Sequence, residues 1–140
     1  MSVLERVPIT GEGWTFSEAV AVHTSTPGRW VHIAGQAAVD PAAGMAAVAG
    51  GEATVPTDME YQANAIFDRV ASHLAKFGGD LSHVVRMTVY LTSWREFKVF
   101  SRIRGERFAG NYPTSTAIQV AGLLGGIPLE IDAVAFIPDA

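Results

Sequence analysis

The chain has 140 residues, no cysteine and a formal net charge of -4, with fourteen Asp and Glu against ten Lys and Arg. That length buries roughly two thirds of the surface exposed by the unfolded chain, the absence of thiols excludes disulfides, thiolate metal sites and cysteine nucleophiles, and the acidic balance argues against a nucleic-acid partner. No apolar run reaches the ~20 residues of a membrane span and no basic leader precedes one, so the expectation is a cytoplasmic protein, a single domain over residues 1–140, with no membrane contact. Hydrophobic residues make up 49% and charged residues 17%, a heavy apolar load for a small domain that association between subunits would absorb.

In chain order, Trp14 to His23 passes from polar alternation into an apolar run and reads as a strand. Pro27-Gly28 makes a turn into a second strand, Trp30 to Gln36. The small Ala34-Gly35 pair in that strand either lets a ligand or another backbone approach closely or marks a bulge. From Asp40 to Pro56 the chain is rich in Gly, Ala and Pro and is expected to be loop. Thr57-Asp58-Met59-Glu60 has the spacing of a capping box with Thr57 as the cap. Met59, Ala63, Ile66, Val70, Leu74 and Phe77 then form a helical stripe, which Gly78-Gly79 stops.

His83 to Leu91 reads as a strand with Val85, Met87, Val89 and Leu91 on one face and Val84, Arg86, Thr88 and Tyr90 on the other. Ser93-Trp94-Arg95-Glu96 is a second capping-box pattern, and Phe97, Phe100, Ile103 or Arg104, and Phe108 carry a helical stripe to about Ala109. The last strands place Ser115, Ala117 and Gln119 opposite Thr114, Thr116 and Ile118, and Glu130, Asp132 and Val134 opposite Leu129, Ile131 and Ala133, with Gly125-Gly126 read as a hairpin turn between them. The fold class is α+β, two helices packed on one face of a mixed sheet. Small, apolar and isolated polar groups on the other face predict that it is buried between subunits.

Little chemistry is legible from residue types alone. His23, His32, His73 and His83 fall on separate elements without the pairing that fixes a metal on one face, so neither metal nor cofactor is expected. Gly44 to Gly51 lacks the Lys-Ser/Thr of a phosphate loop, and Ser115 has no sequence-local base. Glu130 stands out because a carboxylate within an apolar strand is costly unless it meets a donor, a cation or a ligand. It is either an acid/base or water-positioning residue, or one half of an ion pair with Arg86 or another arginine.

Phe16-Ser17-Glu18-Ala19-Val20, Ile33-Ala34-Gly35-Gln36, Asp40-Pro41 with Gly44, Leu74 to Gly78, Val89-Tyr90-Leu91, Phe97, Tyr112-Pro113, Gln119-Val120 and Leu129 to Ala135 occur in that order. Taken together they resemble the Rid family (YjgF/YER057c/UK114) over nearly the whole chain. The resemblance implies a chorismate-mutase-like fold and a homotrimer with small-molecule sites in the clefts between subunits. In deaminating members an Arg two residues after a Pro binds the substrate carboxylate, and a Glu fifteen residues later positions the attacking water. Counted from Pro113, those positions are Ser115 and Glu130. Phe16 stands at an aromatic wall position usually held by Tyr, Glu18 where Gln is usual, Ala34 at a Ser, and Ser101 at an Asn, while the backbone around Gly35 offers donors. A serine hydroxyl does not replace a bidentate guanidinium. Two functions follow first: hydrolysis of an imine, enamine or related metabolite by a route without the usual Arg clamp, or small-metabolite binding by a regulatory trimer without turnover. The ribonuclease or translation-inhibitor activity also associated with the family ranks third, because the acidic charge works against RNA contact. Arg86 and Arg29 are the candidates to supply a missing cation.

Overall fold

The computed structural model describes residues 3–52 and 55–140. Among these residues six strands form one sheet: β1 (Leu4–Pro8), β2 (Ser17–Val22), β3 (Gly28–Gln36), β4 (Val84–Leu91), β5 (Thr114–Gln119) and β6 (Leu129–Pro138). Their spatial order is β1-β2-β5-β4-β6-β3. β2 with β5 and β5 with β4 are parallel, and the other pairs are antiparallel. Helices α2 (Met59–Ala75) and α3 (Phe97–Phe108) cover one face, and a short α1 (Met45–Ala49) precedes them. The α+β architecture is therefore as expected. Among the described residues no helix is long and apolar enough to cross a membrane.

The core lies between the sheet and the two long helices. Ile66, Phe67, Val70 and Leu74 of α2 and Phe100, Ile103 and Phe108 of α3 meet Met87, Val89, Leu91, Leu129, Ile131, Ala133 and Ala135 of the central strands. The stripe of α2 is displaced at its end, where Phe77 remains 41% exposed. The helix has already stopped at Ala75, so helical phase no longer directs that ring inward.

Several local expectations are corrected. The cap of α2 is Asp58, not Thr57: the Asp58 carboxylate accepts from the Tyr61 amide at 2.9 Å, and its charge favours the positive helix end. Asp58→Ala is expected to cost about 1 kcal/mol, read as a lower urea midpoint with unchanged slope. Ser93 does not cap α3. Its hydroxyl accepts from the Arg95 amide two residues on and closes a short turn, so the helix starts only at Phe97. The Asp40 to Pro56 stretch is not all loop. Pro41–Ala43 forms a 3-10 turn capped by Asp40, and α1 buries Val48. Positions 53–54 of that stretch lie outside the described residues.

In β4 an extra residue between Val84 and Arg86 shifts the register against β6. The bulge turns Val84 into the core with Met87, where strict alternation had placed it on the opposite face. β1 was not anticipated, because Leu4-Glu5-Arg6-Val7-Pro8 carries two charges and a proline and takes its place only as an edge strand on β2.

The largest correction concerns the closing strands. β5 and β6 do not form a hairpin: β4 lies between them, parallel to β5 and antiparallel to β6. Gly125-Gly126 belongs to a 3-10 turn in a crossover around the end of β4. The opposite sheet face carries Trp30, His32 and Ala34 of β3, Glu130, Asp132, Val134 and Phe136 of β6, Thr88 and Tyr90 of β4, and Ile118 of β5. No element of the described residues covers it, and Trp30 and Ile118 are 50% and 43% exposed.

Candidate functional site

Ser115 and Glu130 lie on opposite faces of the sheet. Ser115 pairs with Met87, a core residue, whereas Glu130 pairs with Tyr90 on the uncovered face. β4 also separates their strands, a lateral distance of about two strand spacings, or roughly 10 Å. A small ligand therefore cannot bridge them within one chain.

The Glu130 half of the site is made by a bulge. Between Ile33 and Gln36 the register of β3 slips by one residue against β6, so Ala34 and Gly35 together face one position. Of the two alternatives from the sequence the bulge is present, and what approaches Gly35 is a side chain, Glu130, rather than a backbone. A Cβ on Gly35 would lie 2.8 Å from Glu130 Oε2 and 3.0 Å from its Cδ, so only glycine leaves room for the carboxylate side chain in this position. Neither Arg86 nor any other cation of the described residues lies within ion-pair distance of Glu130. The ion-pair reading is thus not met within the chain. Beside it the Tyr90 hydroxyl donates to Asp132 Oδ2 at 3.1 Å, and that bond, followed by the charge of Asp132, raises the Tyr90 pKa.

The Ser115 half contains a residue that sequence reasoning left ambiguous. Arg104 of α3 is 2% exposed and donates from Nη1 to Ser115 Oγ at 2.8 Å and from Nε to Thr15 Oγ1 at 3.1 Å. Its guanidinium carbon lies 5.2 Å from the Phe16 ring centre and 5.0 Å from that of Phe100, so two aromatic faces hold the cation. Thr15 also shares a hydrogen bond with Ser101 at 2.9 Å. Gly105 permits that approach, since a Cβ there would fall 2.8 Å from the Thr15 methyl. Burial lowers the Arg104 pKa to about 10, so it remains charged at neutral pH. No carboxylate of the described residues lies within ion-pair distance of it.

Phe16, Ser101 and Ser115 are thereby brought together around Arg104, and Ala34, Gly35 and Glu130 form a second group on the other face. Arg29 donates to the Phe77 carbonyl at 3.3 Å and stacks near its ring, and Arg86 is exposed beside Val134. Neither takes part in the Ser115 group. The signal for Arg104 was its place in the apolar phase of α3, where a charged residue belongs only if it has a use.

The sequence profile of the Endoribonuclease L-PSP family matches residues 14–137. The chain belongs to this family, the Rid family. Protein DfrA of Myxococcus xanthus is 35% identical over 120 residues, covering 86% of this chain and 83% of that protein. The human 2-iminobutanoate/2-iminopropanoate deaminase is 33% identical over 120 residues, covering 86% and 78%. Among solved Rid-family structures, the YyfB protein of Yersinia pestis superposes with a TM-score of 0.73 at 24% identity, covering 97% of this chain and all of the other. RidA of an Antarctic Psychrobacter gives 0.66 at 25% identity, covering 98% and 100%. This Rid-family chain thus keeps the fold of its relatives while holding an arginine on α3 against a serine on β5.

Proposed function

We propose that this chain acts as a cytoplasmic homotrimer whose inter-subunit clefts bind a small imine or enamine and hydrolyse it, with Glu130 activating water. What carries the reading is Glu130, a carboxylate near the start of β6 that meets no cation of the described residues and is held beside Gly35 on an uncovered sheet face. The opposite facing of Ser115 and Glu130 supports a composite cleft, with the Ser115 group contributed by one subunit and the Glu130 group by its neighbour. The uncovered apolar face, with Trp30 and Ile118 half exposed, supports the association.

In the reaction, Glu130 accepts a proton from water while the oxygen adds to the imine carbon, and returns it to nitrogen to give the carbinolamine. Glu130 then takes the carbinolamine hydroxyl proton and delivers it to nitrogen as the C–N bond breaks, so that the C=O bond forms and ammonia leaves. The similarity to a 2-iminobutanoate/2-iminopropanoate deaminase supports this class of chemistry. Phe16 forms a wall of the cleft, and Ser115 with the backbone around Gly35 donates hydrogen bonds. The serine where deaminating members carry arginine favours a second reading, a metabolite-binding trimer without turnover.

Sedimentation together with assays of acidic and neutral imines, using wild type and Glu130→Gln, tests both readings. Equal rates in the two proteins would remove Glu130 from the mechanism, and saturable binding without turnover would establish the second. Gly35→Ala provides an independent check. Its new methyl group displaces a flexible carboxylate rather than backbone, so stability should change by less than about 1 kcal/mol while turnover falls about tenfold or more.

A further inference from the structure

Arg104 is the buried cation whose placement the fold does not explain. An enclosed charge without a counter-ion costs several kcal/mol after relaxation, and its protein partners here are neutral hydroxyls. Nε and one N–H of Nη1 are engaged, which leaves the second N–H of Nη1 and both of Nη2, the fork that accepts a planar anion. Phe16 and Phe100 fix the guanidinium plane. Among the described residues the only sealed side-chain N or O atom without a partner is Gln62 Oε1, so the free Nη2 is not closed off.

We propose that Arg104 is the anion-binding group of this chain's cleft, presented from α3 and held by Ser115 and Thr15, and that the ligand carries a carboxylate or similar planar anion. The inference rests on the cleft assigned above and supplies, from α3, the cation that Ser115 does not provide. Arg86 and Arg29 are not the substitutes; a helix residue eleven positions before Ser115 is.

The test is titration calorimetry with 2-oxobutanoate, in which a carbonyl replaces the hydrolysable imine, and with its neutral amide. Wild type is expected to bind the acid at least about tenfold more tightly than the amide, and less tightly as salt rises. Arg104→Lys, which keeps the charge but loses the fork, should weaken the acid about tenfold, and Arg104→Met about a hundredfold. A folded Arg104→Met protein that binds the acid within twofold of wild type would overturn the proposal. So would a wild type that binds amide and acid alike, a comparison that requires no variant to fold. Binding is read without turnover, so the two proposals fail separately: hydrolysis of neutral imines with no affinity for 2-oxobutanoate removes the anion site only, while anion binding without hydrolysis removes the reaction only.

Discussion

Glu130→Gln is expected to lower imine turnover by about a hundredfold or more, the range over which a positioned general base contributes. The amide has nearly the same shape, still fits beside Gly35 and still accepts a hydrogen bond, but it cannot take a proton from water at neutral pH. Because no cation of the described residues pairs with Glu130, loss of its charge strands no buried partner. The variant should therefore unfold within about 0.5 kcal/mol of wild type. Steady-state release of ammonia, followed beside a urea titration, separates the two effects. A fall in rate with an unchanged midpoint is the expected pair of results.

Phe67→Ala carries the largest stability effect, about 3–5 kcal/mol. The ring is 0% exposed, meets Phe108 edge-on at 5.3 Å and lies 6.0 Å from Phe100, at the contact between α2 and α3. Truncation leaves a cavity in the core that α2 and α3 share with the sheet, and close packing around it allows only partial collapse. Against a total stability of about 5–15 kcal/mol, the variant should show a urea midpoint reduced by about a fifth or more, or fail to accumulate as folded protein. A loss below about 1 kcal/mol would mean that the interface between the helices repacks. Phe100 also forms one wall of the Arg104 sandwich, so a folded Phe67→Ala protein should bind 2-oxobutanoate less tightly as well.

Much of the fold was legible because two periodicities are strong in this chain. The α2 stripe from Met59 to Leu74 and the alternation of Leu129, Ile131, Ala133 and Ala135 are local patterns, and local patterns survive into the structure. The errors came where one residue changes the outcome. A single extra residue in β4 moved Val84 into the core, and a cap shifted from Thr57 to Asp58, since both offer a suitable oxygen and only the path of the backbone chooses between them. The supposed hairpin of β5 and β6 failed for a different reason. A turn sequence indicates that the chain reverses but not whether a third strand already occupies the place between.

The candidate site divides in the same way. From sequence alone, Glu130 was identifiable as a carboxylate out of place in an apolar strand, and family membership followed from an ordered set of short matches. Ser115 was equally visible as a residue substituting for a cation. Tertiary structure decided that Ser115 and Glu130 face opposite sides of the sheet, that Gly35 makes room for one, and that Arg104 serves the other. Burial and spacing along a strand are local and can be read from a pattern. Which side chain from a distant helix fills the space beside a given residue depends on how the layers pack, and no spacing between Arg104 and Ser115 encodes that.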